Sequence, residues 1–170
     1  KLKPLREDPS PIARHLDEQE EEALRDALQA RQESQRAERC RYNQWLQSRR
    51  HLPLSDLTAE YTDYLLPLTL LALNTGMRRG ELFDLRMKDI DLKQKQLTVH
   101  GANSKSGKTR HIPLTNEGIY LLTTWRNQNG LMPDNLVFPS PVSGIRFDNI
   151  NTAWKGLIKA SGIKQFRFHD

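Results

Sequence analysis

The sequence is poor in cysteine and has no long apolar run. Cys40 is the single cysteine among 170 residues, which excludes an internal disulfide and a metal cluster held by cysteines. No apolar stretch approaches the roughly 20 residues of a membrane-spanning helix, and the opening residues lack the apolar segment of a secretory signal. We therefore expect a cytoplasmic protein without a membrane partner. Because the histidines show no metal-ligand spacing, we expect no metal or other cofactor.

Acidic residues are missing from one part of the chain, residues 93–111, which contains five Lys or Arg. The whole chain carries 26 Lys and Arg against 21 Asp and Glu, a net charge of +5. A local excess of cations is typical of a surface that contacts phosphates. A solvated polar hairpin without a partner explains the same pattern, so charge alone leaves both interpretations open.

The first part of the chain changes from linker to helix. Residues 1–14 contain three prolines and are predicted to be a linker. Asp17 and Glu20 have the spacing of a capping box, which predicts that a helix starts there. Apolar residues thin out over residues 29–41, so this part is either a continuation of the helix or an inserted surface segment.

Two helices are predicted in the middle of the chain. Tyr64–Leu73 is apolar on every side, which indicates a buried central helix. Gly76 ends this helix, because glycine is the usual residue at a helix C-terminal cap. A second, short helix is predicted over Arg78–Arg86.

After the second helix the apolar period changes to two. Three pairs of alternating apolar residues predict three half-buried strands: Ile90 and Leu92, Leu97 and Val99, and Ile112 and Leu114. Residues 102–108 supply the turn between the last two strands. The simplest arrangement is a small antiparallel sheet.

Two further helices complete the prediction. One is capped by Thr115, runs through Trp125 and is closed by Gly130; the other starts at Asp148 or Asn149 and ends at Gly162. The predicted fold class is therefore α+β, mainly α: a helical domain with one small antiparallel three-stranded sheet.

Arg78 stands where a buried cation is expected. On the predicted helix it shares a face with Leu82 and Leu85, so its guanidinium is expected to point toward the interior or a cleft. A buried guanidinium is costly unless it is paired or faces an anion. Either Glu81, three residues on, neutralises Arg78, or Arg78 binds an anionic ligand, and the spacing leaves both open.

The segment Ser104–Thr109 contains Lys105 and is similar to the end of a nucleotide-binding P-loop. A P-loop needs its first glycine at position 102, where this sequence has Ala102, and it runs into a helix whose N-terminus holds the phosphate. Residues 109–114 instead alternate like a strand and include a proline. A nucleotide partner is therefore not expected, and on local evidence Lys105 is most simply a solvated turn residue.

Three segments, taken in order, resemble the boxes of the tyrosine recombinases, the phage-integrase family. Thr75-Gly76-Met77-Arg78-Arg79-Gly80-Glu81-Leu82, followed by Asp89-Ile90-Asp91, is similar to the first arginine box. Ser104-Lys105-Ser106-Gly107 ahead of Ile112-Pro113-Leu114 resembles the hairpin that bears the family's catalytic lysine. Residues 166–170 are similar to the opening of the His-x-x-Arg box, and residues 151–162 resemble the helix before it.

The resemblance implies roles for individual residues. Arg78 would bind the scissile phosphate, Lys105 would act as general acid and His169 would be the box histidine, while Lys105, Lys108 and Arg110 would contact DNA. In this family a tyrosine attacks the phosphodiester and forms a 3′-phosphotyrosine, and the reversed reaction rejoins DNA without ATP or metal. The implied partner is double-stranded DNA, bound by a homotetramer when the protein is full length.

The same resemblance implies that parts of the enzyme lie outside the sequence. The second arginine and the tyrosine would follow Asp170, and none of the four tyrosines present stands at the nucleophile's position. We therefore expect residues 15–170 to be a partial catalytic domain, inactive alone, with a DNA-binding domain upstream of the 1–14 linker. The alternative hypothesis is a non-catalytic DNA-binding or regulatory protein on the same scaffold.

Overall fold

The computed structural model describes residues 14–101 and 107–168, which form helices around one small sheet. The elements in chain order are α1 (Glu18–Ser48), α2 (Leu65–Thr75), α3 (Arg79–Asp84), a 3₁₀ turn (Met87–Asp89), β1 (Ile90–Asp91), β2 (Gln96–Val99), β3 (Arg110–Pro113), α4 (Asn116–Asn129) and α5 (Asn151–Ser161). The predicted class, mainly helical with an antiparallel three-stranded sheet, is confirmed. None of the described helices is both long and apolar enough to cross a membrane.

Helix α1 opens with the predicted capping box and continues for 31 residues. The Asp17 side chain accepts the Glu20 N–H, and the Glu20 side chain accepts the Asp17 N–H. Residues 29–41 continue the helix rather than forming an inserted segment. Their inward contacts include a polar one, because buried Gln32 accepts the Thr62 N–H at 2.9 Å. The spacing of apolar residues does not predict a helix face that is buried but polar.

Helix α2 is the buried centre of the described residues, as predicted. Leu65, Leu68 and Leu71 are fully buried, and the helix packs against α1 and α4. Gly76 ends α2 in the left-handed region at φ 60°, and its N–H donates to the Ala72 carbonyl. Glycine adopts this conformation at little cost. The chain therefore leaves α2 in a fixed direction immediately before Arg78.

Helix α3 is shorter than the predicted helix Arg78–Arg86, and that prediction is wrong at both ends. Arg78 is the extended N-cap residue, and Leu85 is extended again after Asp84. The Leu85 carbonyl accepts the Val137 N–H at 2.8 Å. A hydrogen bond to a segment 52 positions away thus replaces the helical bond that would have continued α3.

The sheet has the order β1-β2-β3, and both pairings are antiparallel, as predicted. Leu97 of β2 lies opposite Ile90 of β1 and opposite Ile112 of β3. Leu97 and Val99 point into the core. Val99 pairs with Arg110 at the end of the sheet from which the β2–β3 connection leaves. Residues 102–106 of that connection lie outside the described residues.

The last two helices have the predicted order and stops. The Thr115 hydroxyl accepts the Gly118 N–H at the start of α4, and Gly130 ends it. Helix α5 starts at Asn151, two residues after the later of the predicted starts, because the Asn149 side chain accepts the Asn151 N–H from outside the helix. Helix α5 packs against α1, which brings the end of the described chain beside α2.

Candidate active site

A buried carboxylate, Glu81, lies between two arginines from different elements. The Glu81 side chain is 2% exposed. The Arg110 guanidinium, from the first position of β3, donates two hydrogen bonds to it, at 2.8 Å to Oε1 and 2.7 Å to Oε2. The backbone N–H of Arg78 donates to Oε2 at 2.8 Å. This carboxylate therefore joins the first arginine segment to the strand that follows the hairpin.

The charges of this pair stabilise each other. The hydrogen bonds from Arg110 are the main reason that the pKa of Glu81 lies below its ordinary value, although burial acts in the opposite direction. The same contact raises the pKa of Arg110. Both groups are therefore charged at neutral pH, in the parallel two-bond geometry that favours arginine–carboxylate pairs.

Arg78 itself points outward, with 57% of its side chain exposed. The expected helical face shared with Leu82 and Leu85 is wrong, because Arg78 precedes the helix as its extended N-cap. Of the two expected orientations, toward the interior or toward a cleft, its exposure excludes the interior. Its Nη1 lies 3.5 Å from Glu81 Oε1, at the outer limit of a hydrogen bond. Both possibilities left open by the sequence remain: Glu81 forms an ion pair with Arg78, but its two shorter contacts are to Arg110, and most of the Arg78 side chain stays exposed.

The base of the β2–β3 hairpin is fixed by close backbone packing. The Gly101 N–H donates to the Thr109 hydroxyl at 3.0 Å. A Cβ atom at position 101 would lie 2.4 Å from the Gly107 carbonyl oxygen, so only glycine fits there. His100, which follows β2, lies with its Nε2 2.9 Å from Oδ1 of Asp89, the residue before β1. Lys108 follows on the Gly107 side as an exposed residue, whereas Lys105 lies outside the described residues.

The end of the described chain approaches the segment that leads into Arg78. Phe166 and Phe168 pack on Trp154 of α5, with ring centroids 6.0 and 4.9 Å away. Phe168 also lines a cleft of about 320 Å³ together with Gly76 and Met77. His169 lies outside the described residues. The residues immediately before Arg78 and immediately before His169 thus border the same cleft.

Comparison with known proteins identifies the family. The profile of the phage integrase family matches residues 54–170, which is more than half of the chain. The chain belongs to the phage integrase family. The match includes Arg78, Glu81 and Arg110, whereas α1 precedes it.

Relatives in this family are recombination proteins by name. The integrase of Salmonella phage P22 is 32% identical over 109 residues, which are 58% of this chain and 28% of that protein. The shufflon-specific DNA recombinase of Escherichia coli is 34% identical over 103 residues, 59% of this chain and 23% of that protein. The tyrosine recombinase XerC of Xanthomonas axonopodis pv. citri (strain 306) is 35% identical over 71 residues, 42% of this chain and 22% of that protein.

A solved structure shows the same fold over nearly the whole chain. The crystal structure of XerA recombinase superimposes with a TM-score of 0.59 at 22% identity, covering 96% of this chain and 48% of that one. The chain spans about half the length of this structure and about a quarter of the length of the curated relatives. At this identity the likeness shows the fold alone.

Sequence reasoning missed the pairing of Glu81 with Arg110. Local spacing predicts Glu81 only as a partner of Arg78, and the resemblance implies Arg110 only as a DNA contact. The two residues are 29 positions apart, so no local spacing links them. The available signal was the predicted sheet: β3 follows a hairpin that starts beside the first arginine segment, so a cation at its first position lies near that segment.

Proposed function

We propose that this chain is part of the catalytic domain of a tyrosine-type site-specific DNA recombinase, which cleaves and rejoins duplex DNA through a 3′-phosphotyrosine intermediate. The observation that carries the proposal is the exposed guanidinium of Arg78 between α2 and α3, beside a carboxylate that is already paired. An exposed guanidinium can bind a phosphate through two parallel hydrogen bonds. It also offsets the negative charge that develops on the phosphate oxygens during attack.

The other roles follow from their positions in the matched family. Lys105 protonates the leaving 5′-oxygen as general acid, and His169 acts beside the same phosphate. Lys108 contacts the DNA backbone from the exposed side of the hairpin. The tyrosine nucleophile and the second arginine lie outside these 170 residues, and residues 1–14 link the domain to a further DNA-binding domain. The phosphotyrosine bond retains the energy of the cleaved phosphodiester, so rejoining needs no ATP.

The assembled enzyme acts as a homotetramer on DNA in this proposal, as the resemblance implied. Two alternatives have less support. Strand β3 begins directly after Lys108 and Thr109, where a P-loop requires a helix. A non-catalytic DNA-binding protein has less support because the relatives are an integrase and recombinases by name.

The experiment that tests the proposal is strand exchange by the whole recombinase on duplexes carrying its own recombination site. We expect exchange without ATP and in the presence of EDTA. Arg78→Gln should lower the rate by roughly 10²–10³, the usual effect of removing one donor to a developing oxyanion. Arg79→Gln is the matched control and should stay near wild type. Equal rates for the two variants, or no exchange by the wild type, would contradict the proposal.

A further inference from the structure

Arg110 belongs to the acid-free stretch that the sequence assigns to DNA contact, but its charge is directed inward. Both terminal nitrogens of its guanidinium are hydrogen-bonded to Glu81, and 35% of the side chain is exposed. The two N–H groups that bond to Glu81 form one parallel pair of donors, the kind an arginine uses to hold a phosphate with two bonds, so this pair is not available to DNA. The geometry therefore separates Arg110 from Lys108, which is exposed two positions earlier.

We propose that Arg110 is a positioning residue: by holding the charge of Glu81, it prevents the 3.5 Å contact between Arg78 and Glu81 from closing further, so that the guanidinium of Arg78 stays available to the scissile phosphate. The inference rests on the proposed function, since it assigns a role within the same site. Arg110 itself touches neither DNA nor the reacting atoms. It acts through Glu81 on Arg78.

Because Glu81 is buried, its charge depends on its partners. A carboxylate with 2% exposure stays charged only if a cation and hydrogen bonds compensate the loss of water. The Arg78 backbone N–H supplies one hydrogen bond, and Arg110 supplies two more together with the positive charge. Without Arg110, Glu81 keeps one hydrogen bond, and its ion-pair partner among residues 14–101 and 107–168 is Arg78.

Arg78 is near enough to replace Arg110 as the partner of Glu81. Its Nη1 is already 3.5 Å from Glu81 Oε1, and residues three apart at the start of a helix come within reach of each other. A small rotation of the Arg78 side chain would close that distance to a full hydrogen bond. The guanidinium would then face Glu81 rather than the phosphate. Glu81 thus competes with the phosphate for Arg78, and the hydrogen bonds from Arg110 to Glu81 weaken this competition.

The register of the sheet determines the position of Arg110 beside Glu81. It is the first residue of β3 and pairs with Val99, whose side chain is buried. A lysine, arginine or glutamine placed here starts from the same backbone position beside Glu81. Substitutions at position 110 therefore change the charge on Glu81's partner without moving the strand.

The test compares Arg110→Gln, Glu81→Gln and the double variant in the whole recombinase, at saturating DNA. Arg110→Gln should lower the cleavage rate by roughly 10²-fold, the effect of displacing a reacting group by about 1 Å. Adding Glu81→Gln should restore the rate to within a few-fold of Glu81→Gln alone, because a neutral amide does not compete for Arg78. Such suppression by a second substitution is the mark of coupled residues, and a general loss of structure does not produce it.

Two controls separate this role from stability and from DNA contact. Arg31→Gln removes a comparable two-bond arginine–carboxylate pair, to Asp63 at the other end of α2, and should leave the cleavage rate unchanged. Arg110→Lys keeps the positive charge and should remain within a few-fold of wild type. If Arg110→Gln does not fold, a folded Arg110→Lys with a loss as large as that of Arg78→Gln overturns the proposal.

The remaining outcomes are also decisive. A double variant as slow as Arg110→Gln overturns the proposal, as does a weaker DNA affinity for Arg110→Gln with an unchanged saturating rate, which would show a phosphate contact. An active wild type with a fully active Arg110→Gln refutes the role of Arg110 alone. An inactive wild type refutes the proposed function instead, so the two failures are distinguishable.

Discussion

At the scale of single residues, Arg78 and Arg110 are both expected from the sequence to contact DNA, but they differ in how they interact with Glu81. Arg110 is held by the buried carboxylate, and Arg78 is left exposed beside it. The outward orientation of Arg78 comes from its place before α3, where the backbone is extended. A helical backbone at position 78 would direct the side chain differently. The cation proposed to bind phosphate is thus oriented by backbone geometry and kept free by a neighbour's charge.

A substitution of Lys105 separates its proposed role from that of Arg78. Lys105→Ala in the whole recombinase should lose roughly 10²–10⁴ in cleavage rate, the usual range for a general acid. A substrate with sulfur in place of the leaving 5′-oxygen needs little protonation, so it should restore much of the rate to Lys105→Ala. It should not rescue Arg78→Ala, because the phosphate oxygens still need their donor. Single-turnover cleavage of the two substrates measures both effects.

Lys108 provides the comparison within the same hairpin. Lys108→Ala removes the same charge and should weaken DNA binding, with little change in the rate at saturating DNA. If Lys108→Ala lost the rate and regained it with the sulfur substrate while Lys105→Ala did not, the general acid would be Lys108.

At the scale of elements, the polar half of α1 is held by side-chain hydrogen bonds. Gln32 is 3% exposed, and its carbonyl oxygen accepts the Thr62 N–H at 2.9 Å. Asn43, which lies further along α1, accepts the Leu54 N–H and donates to the Leu54 carbonyl through its side-chain amide. These side-chain hydrogen bonds, rather than apolar packing, hold the connection between α1 and α2 against this half of α1.

Gln32→Leu tests this interpretation of α1. The substitution leaves the Thr62 N–H without its acceptor, so it should lower the free energy of unfolding by about 1–3 kcal/mol, the cost of an unsatisfied buried donor. Gln47→Leu, at an exposed position of the same helix, is the control and should be near neutral. Urea denaturation of both variants measures the difference. A neutral or stabilising Gln32→Leu would show that this contact does not hold the helix.

The elements predicted correctly from the sequence are those whose signals are local. The capping residues Asp17 and Thr115, the apolar helix α2 and the alternating strands depend on neighbours within a few positions. The errors have long-range causes. Helix α3 stops early because Leu85 pairs with Val137, and the second half of α1 was ambiguous because Gln32 bonds to Thr62.

At the scale of the whole molecule, the acid-free stretch of residues 93–111 does not form one surface. Gln96 lies opposite Pro113 and Val99 opposite Arg110, so the β1–β2 turn with Lys93 and Lys95 is at one end of the sheet. Lys108 is at the other end, where the pair of Arg110 with Glu81 brings the hairpin base close to Arg78. The sequence predicted the charge of this stretch, but its division in space depends on the strand register.

Salt dependence of DNA binding tests this division. The 170-residue chain should bind duplex DNA weakly, with a slope of roughly −3 to −5 in log K against log salt for four or five phosphate contacts. Lys105→Gln combined with Lys108→Gln should reduce the slope by about 2. Lys93→Gln combined with Lys95→Gln removes the same charge from the same stretch and should leave the slope unchanged. Binding that does not respond to salt would exclude a phosphate surface.

The proposed enzyme joins itself to DNA through a tyrosine. A nicked suicide duplex traps that intermediate, and mass spectrometry of the adduct identifies the linked residue. We expect an adduct between a 3′-phosphate and a tyrosine outside residues 1–170 in the whole recombinase, and no adduct with the 170-residue chain alone. An adduct on Tyr42, Tyr61, Tyr64 or Tyr120, or none with the whole recombinase, would contradict this expectation.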